Sequence, residues 1–289
     1  MSIKITDKDK EISAVNILKS ANKLLDLSTA VVMGIINSTP DSFYSGSRHQ
    51  DKDSILRKAD EHLKGGAQIL DIGAVSTRPG AEEVSIEEEG DRLAYTYDII
   101  RQEFPEVWIS IDTWRAEIAE TMILSGADMI NDISGGTMDQ QMPEIIGKYN
   151  IPYVLMHIKG TPQNMQNDPT YEDVTSEVLS FINDQIKVFN QYGAHQLVID
   201  PGFGFGKTLE HNYTLMKDLR NFTELNYPVL AGISRKSMIN KLLNILPEEA
   251  LNGTSVLNTL ALINGAKILR VHDSKEAFEA VKIVQALDA

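Results

Sequence analysis

The chain has 289 residues, no cysteine, and 27 Lys+Arg against 41 Asp+Glu, a formal net charge of −14 at pH 7. The missing cysteine excludes a disulfide scaffold, a thiolate zinc site, an Fe–S cluster and a cysteine nucleophile together. The acidic balance argues against nucleic acid or a membrane surface as a partner, and no run approaches the roughly 18 apolar residues of a membrane span.

The first 26 residues are too polar for a signal peptide, so a cytoplasmic protein is expected. At 42% hydrophobic and 24% charged, the composition is that of a globular chain with a sizeable core. The length fits either two ordinary domains or one α/β barrel of about 250 residues.

In chain order, short apolar and β-branched runs predict eight strands: Val31–Ile36, Ala67–Ile72, Val107–Ile111, Asp128–Ile133, Ile151–Met156, Gln196–Ile199, Pro228–Ala231 and Lys267–Val271. Nearly continuous apolar runs without alternation indicate strands buried on both faces, as in a parallel sheet. The gaps leave room for helices. Asp53–Lys64 carries Ile55, Ala59 and Leu63 at fourfold spacing and stops at Gly65–Gly66. Ser85-Ile86-Glu87-Glu88 is a capping-box pattern opening a helix towards Phe104, just before Pro105. Thr175–Tyr192 sets Val178, Ile182, Ile186 and Phe189 on one stripe and ends at Gly193. Thr254–Asn264 and Lys275–Leu287 complete the set. Strands alternating evenly with helices read as one α/β domain, a (β/α)8 TIM barrel over residues 31–289, with a short N-terminal extension, residues 1–30, packed on it. A doubly wound open sheet is the alternative, because periodicity does not report closure.

In such a barrel the chemistry sits at the carboxyl ends of the strands. Strand 1 is followed by Asn37–Phe43, strand 2 by Gly73 and then Ser76-Thr77-Arg78-Pro79, and strand 3 by Asp112. Strand 4 ends in Asn131-Asp132, strand 5 in His157, and strand 6 in the glycine-rich run Asp200–Lys207. Strand 7 leads to Ser234-Arg235-Lys236-Ser237, and strand 8 to Arg270, His272 and Asp273. Any one of these is more often a helix cap or turn former than a catalytic group. Polar groups after every strand are not explained that way. Arg78, Lys207, Arg235, Lys236 and Arg270 would converge on one rim of an acidic protein, which points to an anion such as phosphate or pyrophosphate.

The glycine-rich run is neither a P-loop, since Pro201 stands where the first glycine is required, nor a dinucleotide fingerprint, since its glycines recur at period two. Such glycines would let the backbone pass close beneath a planar ligand. Asp112, Asn131, Asp200 and Lys236 together offer paired acceptors, a mixed amide and a cation. That set suits the 2-amino-4-oxo edge of a pterin or guanine. Met156 and Phe205 could supply apolar contact to a ring face, or could be core.

These motifs place the chain beside a known family. Gly34–Asn37 with Thr39–Phe43, Asp71–Gly73 with Ser76–Gly80, Ile111–Thr113, Asn131-Asp132, Asp200–Lys207, Ser234–Ser237 and Arg270–Asp273 resemble, in order, the motifs of dihydropteroate synthase. The resemblance runs from about Val31 to Asp273. It implies a TIM barrel that condenses 6-hydroxymethyl-7,8-dihydropterin pyrophosphate with 4-aminobenzoate, releasing pyrophosphate. By resemblance, Asp112, Asn131, Asp200 and Lys236 would hold the pterin. Asn37 would bind Mg²⁺, and Thr77, Arg78, Arg270 and His272 would contact the pyrophosphate. Ser237, with Arg235 nearby, would meet the aminobenzoate carboxylate. Catalysis would fall chiefly to Lys236, Asp112 and Arg270, and a homodimer is implied.

The stretches Ser38–Asp53 and Ala74–Ser85 read as long loops that would close over pyrophosphate and Mg²⁺, bringing Phe43 and Pro79 to the amine. Departures from the family pattern stand at Ser38, Tyr44–Ser47, Ala74-Val75 and Ile158. A corrinoid-linked methyltetrahydrofolate methyltransferase shares the pterin barrel but has no pyrophosphate to bind. A non-catalytic pterin-binding paralogue would have lost Asn37, Arg78, Lys236 or Arg270, and all are present.

Overall fold

A computed structural model describes residues 16–21, 23–38, 48–75 and 84–287 of the chain. The path opens with a hairpin, β1 (Ile17–Ser20) and β2 (Lys23–Asp26), followed by β3 (Val31–Asn37) and α1 (Arg48–Lys64). Next come β4 (Ile69–Gly73), α2 (Ile86–Glu103), β5 (Trp108–Asp112), α3 (Ala116–Leu124), β6 (Met129–Asp132) and α4 (Met142–Tyr149). Then follow β7 (Tyr153–Met156), α5 (Val174–Gln191), β8 (Leu197–Asp200), α6 (Leu209–Lys217) and the short α7 (Arg220–Thr223). The chain closes with β9 (Leu230–Ala231), α8 (Ser237–Leu243), a 3₁₀ turn at Pro247–Glu249, α9 (Leu251–Ile263), β10 (Ile268–Val271) and α10 (Ser274–Leu287).

The strands β3 to β10 form one parallel sheet in the order β8-β7-β6-β5-β4-β3-β10-β9. Its two ends meet through a parallel bridge between Ile199 and Val229, with Ile199 N donating to Pro228 O at 2.8 Å. That bridge closes the barrel and removes the open-sheet alternative.

Each predicted strand is present, shifted by a residue or two. The helices differ more. α1 begins at Arg48, not Asp53, so the last part of the expected first loop is helical; its residues 39–47 lie outside the described ones. The helices α3, α4 and α8 were not legible because they are short and their caps, Arg115, Gln141 and Lys236, make no side-chain cap bond. α6 is capped by Thr208 reciprocally with His211, where the usual pattern has Glu or Gln. The hairpin turns through Ala21 at φ 44, with none of the glycine that marks such turns.

The side-chain period of two decides what faces the inside. Met33, Ile69, Trp108, Met129, Val154, Val198, Leu230 and Ile268 fill the amino end of the barrel, closed from below by Leu18, Leu25 and Leu27 of the hairpin segment. Each of those three leucines is buried, worth about 1.5–3 kcal/mol apiece. The hairpin is also tied at Asp128, whose buried carboxylate accepts from Ser20 Oγ (3.0 Å), Lys23 Nζ (3.1 Å) and Arg101 Nη2 (2.6 Å). Two residues further along, on the same inward side, stand Ile35, Asp71, Ser110, Asn131, Met156, Asp200, Gly232 and Arg270, with Asn37 two beyond Ile35 and Asp112 two beyond Ser110. Apolar residues close the bottom, and polar ones line the mouth.

Candidate active site

Arg270 is the hub of the mouth. Its Nε donates to Asp71 Oδ2 and its Nη2 to Asp112 Oδ2, both at 2.6 Å. Asn131 Nδ2 donates to the same Asp71 oxygen at 3.0 Å. Asp71 is fully buried and Asp112 is 15% exposed at its side chain, so Asp112 is the open end of this bridge. Burial works against the Arg270 charge, but Asp71 and Asp112 outweigh it and hold the guanidinium firmly protonated. Burial pushes the Asp112 carboxyl up; Arg270 pulls it back, and Asp71, Asp132 and Glu89 push it further up.

Across the mouth stand Asp200 and Lys236. Asp200 Oδ1 accepts from Gly202 N at 2.7 Å, which orients the carboxylate. Lys236 Nζ donates to the Phe203 carbonyl and lies 4.7 Å from the Phe205 ring centroid. Burial lowers the Lys236 pKa to about 8, against the pull of Asp200. Burial likewise raises Asp200, with Lys236 as the main offset. Between them the strand is bare. A Cβ at Gly232 would sit 3.6 Å from Asp200 Oδ2 and 3.7 Å from Lys236 Nζ. Gly232→Ala is therefore expected to keep ligand affinity, and Gly232→Leu to weaken it by at least about 1–3 kcal/mol through overpacking. Titration calorimetry with an unphosphorylated pterin checks this; equal affinity in a folded Leu variant would remove Gly232 from the pocket wall.

Met156 is buried with Ile133, Ile158 and Met165, and Phe205 packs on the same cluster at the mouth. Asn37 ends β3 and is exposed, in the inward register of Met33 and Ile35, and Ser237 is exposed at the start of α8. His272 N donates to Ser234 Oγ at 3.2 Å, and the His272 Nδ1 to Ser234 Oγ distance is 3.1 Å. We assign the serine hydrogen to Nδ1, which leaves Nε2–H as the free donor. Burial and Arg270 lower the His272 pKa to about 4, so the ring offers a hydrogen bond and no charge near neutral pH. Thr77, Arg78, Phe43 and Pro79 lie outside the described residues. The carbonyls of Ala74 and Val84, on either side of 76–83, accept from Arg92 Nη1 (3.1 Å) and Arg115 Nη2 (2.7 Å).

Two cations expected on the rim are not free there. Lys207 is buried and donates to Gly202 O (2.8 Å), Phe205 O (3.0 Å) and His157 Nδ1 (2.9 Å). It knits the loop from inside, supplying a donor to Phe205 O and a second one to Gly202 O, which also accepts from Phe205 N at 3.1 Å. Arg235 is committed to Asp273 and two carbonyls. The glycines of the same run also meet protein. A Cβ at Gly202 would fall 1.9 Å from His157 O, and one at Gly206 2.4 Å from Lys159 O. With φ of 73 and 63, both positions need glycine for loop packing. Sequence reasoning gave Asp71 no role. Its signal was a carboxylate two residues after Ile69 on the inward face of a buried strand.

The comparisons with known proteins agree with this architecture. A family model described as "Pterin binding enzyme" matches residues 33–272. The dihydropteroate synthase of Escherichia coli (strain K12) is 45% identical over 264 residues, 91% of this chain and 93% of that one. That of Synechocystis sp. is 42% identical over 259 residues, 89% of each. Among solved structures, Yersinia pestis dihydropteroate synthase with a sulfonamide drug matches at TM-score 0.88 and 41% identity, covering 94% of this chain and 99% of that one. The Xanthomonas albilineans enzyme in complex with 7,8-dihydropteroate matches at TM-score 0.84 and 34% identity, covering 94% and 99%. With a closed pterin-family barrel and full-length relatives at this identity, the chain belongs to the pterin binding enzymes and, within them, to the dihydropteroate synthases.

Proposed function

We infer that this chain is a transferase that joins 6-hydroxymethyl-7,8-dihydropterin pyrophosphate to 4-aminobenzoate, giving 7,8-dihydropteroate and pyrophosphate. The observation that supports it most is the polar set at the barrel mouth: buried Asn131 and Asp200 with half-buried Asp112 and Lys236 around Arg270. In this reading the Asp112 and Asp200 carboxylates accept from the pterin's 2-amino edge, the Asn131 oxygen accepts a further donor, and Lys236 donates to a ring acceptor. Met156 and Phe205 keep water from the ring face. The C–O bond to pyrophosphate breaks as the pterin methylene becomes carbocation-like, the amine nitrogen attacks it to form the C–N bond, and the nitrogen gives its extra proton to water. Arg270 and the neutral His272 donate to the departing pyrophosphate oxygens, with Thr77 and Arg78 in the same role.

Among the described residues there is no group of three His, Cys, Asp or Glu that could hold a metal, and Asn37 offers one hard carboxamide oxygen. Such a donor fits Mg²⁺, which keeps several waters and arrives with the substrate's phosphates. Asn37 would hold it, and the ion would neutralise developing charge on the leaving group. Incubating the protein with both substrates and Mg²⁺ tests the reading. Dihydropteroate and pyrophosphate should appear in equal amounts; a folded protein that releases neither overturns it.

A second copy of the chain is the partner we propose. Val256, Leu260 and Ile263 form an i, i+4, i+7 stripe on α9, 43–52% exposed, with Leu242, Leu243 and Leu246 exposed close by in sequence. Leu260→Glu should shift the protein from dimer to monomer in sedimentation at micromolar concentration; a monomeric unmodified protein would sink this. No helix among the described residues is long and apolar enough to cross a membrane. The cytoplasm is the place we propose for it, on the acidic, cysteine-free composition.

A further inference from the structure

Arg235 sits between β9 and α8 with φ 56, a left-handed conformation that costs energy in any residue but glycine. Its side chain spends four of its five N–H groups on protein acceptors. Nε donates to Asp273 Oδ2 at 2.8 Å and Nη2 to Asp273 Oδ1 at 2.7 Å, a two-pronged pair. Nη1 donates to the carbonyls of Pro247 and Glu248, each at 3.0 Å. The backbone is held as well: Arg235 N donates to Thr254 Oγ1, and Arg235 O accepts from Asn240 Nδ2, both at 3.1 Å. One residue thus links the loop after β9, the 3₁₀ turn, the start of α9 and the loop after β10.

An ordinary surface ion pair would contribute little. This one differs in geometry and place. The two side chains are only 25% and 19% exposed, four guanidinium N–H groups are used, and the backbone accepts strain to present them. The neighbours are the point. Lys236 and Ser237 follow Arg235 directly, and Asp273 follows His272, itself two residues after Arg270.

We propose that Arg235 is a positioning residue that clamps the Lys236–Ser237 loop to the Arg270–His272 strand end, so that the pterin half and the pyrophosphate half of the site keep one spacing. The proposal rests on the synthase reading above. It replaces a direct contact between Arg235 and the aminobenzoate carboxylate, since four of the five guanidinium N–H groups are already committed to Asp273, Pro247 and Glu248.

The test compares Arg235→Gln, Arg235→Lys, Asp273→Asn and the Arg235→Gln/Asp273→Asn pair in the full chain. Each is assayed with 4-aminobenzoate and with the uncharged 4-aminobenzamide. A displaced clamp should lower kcat/KM on the order of 10- to 100-fold for both amines alike. Lysine should not rescue, because one ammonium cannot replace a fork that spans a carboxylate and two carbonyls. The double variant should be no worse than the poorer single one, as for groups in one network. A loss confined to the charged amine would overturn the clamp in favour of direct contact. Lower melting temperature with unchanged kcat and KM would reduce the residue to a structural role and also overturn it. Should Arg235→Gln not fold, Asp273→Asn carries the same comparison, because it leaves both carbonyl bonds in place. Should the unmodified chain make no dihydropteroate, the reaction assignment fails separately, and amide hydrogen exchange decides the clamp. Faster exchange at both Lys236–Met238 and His272–Ser274 in Arg235→Gln supports it; change at only one of them overturns it.

Discussion

Arg270→Met is expected to abolish turnover and to cost about 3–5 kcal/mol of folding stability, the range for breaking a buried ion pair from one side. The reason is what the substitution leaves behind. Asp71 is fully buried and the Asp112 side chain is only 15% exposed, and both direct an oxygen at the lost guanidinium at 2.6 Å. Burial already pushes Asp112 up, with Asp71 pushing the same way and Arg270 the chief opposing influence. Without Arg270 one of the two carboxyls must take a proton in the folded state. A carboxyl whose folded pKa lies above its unfolded value binds more protons folded than unfolded, so stability falls as pH rises between those two values. The Met variant should therefore be hurt less at pH 5 than at pH 8, and adding Asp71→Asn should recover part of the loss at pH 8. Urea unfolding at both pH values reads this directly. Equal stability of Arg270→Met and the unmodified protein at pH 8 would mean that the two carboxylates are solvated and the hub is not a buried network.

The barrel was legible because a parallel strand buried on both faces leaves an unbroken apolar run, and Val31–Asn37 shows every residue but the last buried. The polar strand ends were legible for the same reason, since Asp112, Asn131 and Asp200 interrupt such runs. The short helices were not, because Arg115, Gln141 and Lys236 carry no cap signature. Side-chain direction was the other limit. A lysine or arginine after a strand reads the same whether it enters the mouth or turns back onto the loop. Lys236 enters, Lys207 is swallowed by carbonyls, and Arg235 grips the neighbouring loop. Asp71 failed differently. Its role is a three-body relation with Arg270 and Asn131, and those partners lie 199 and 60 residues away along the chain. No local pattern carries a relation of that span.

Lys236 sets the expected upper pH limit of the enzyme. In the reading proposed above its ammonium is the charge-bearing donor to the pterin; it is held by the Phe203 carbonyl and lies over the Phe205 ring. Burial is the largest influence on it and lowers its pKa to about 8; Asp200 and Asp112 act against that, and Arg270 adds to it. A neutral amine still donates, but it loses the charge that roughly doubles the strength of such a bond. The kcat/KM for the pterin substrate should accordingly fall as pH rises through about 8, reporting the free enzyme's lysine. Lys236→Met should lower pterin affinity by about 1.5–3 kcal/mol at pH 7, the worth of one bond to a charged group. It should also remove the limb near pH 8, because no group remains there to titrate. The same change strips Asp200 of its main offset to burial, so its carboxyl rises further. Affinity in the Met variant should then begin to depend on Asp200, declining below the pH at which that carboxylate takes its proton. Lys236→Met/Asp200→Asn should lose this acid limb too. A wild-type profile that stays flat to pH 10, or a Met variant that keeps the limb near pH 8, would assign the titration to another group and take Lys236 out of pterin recognition.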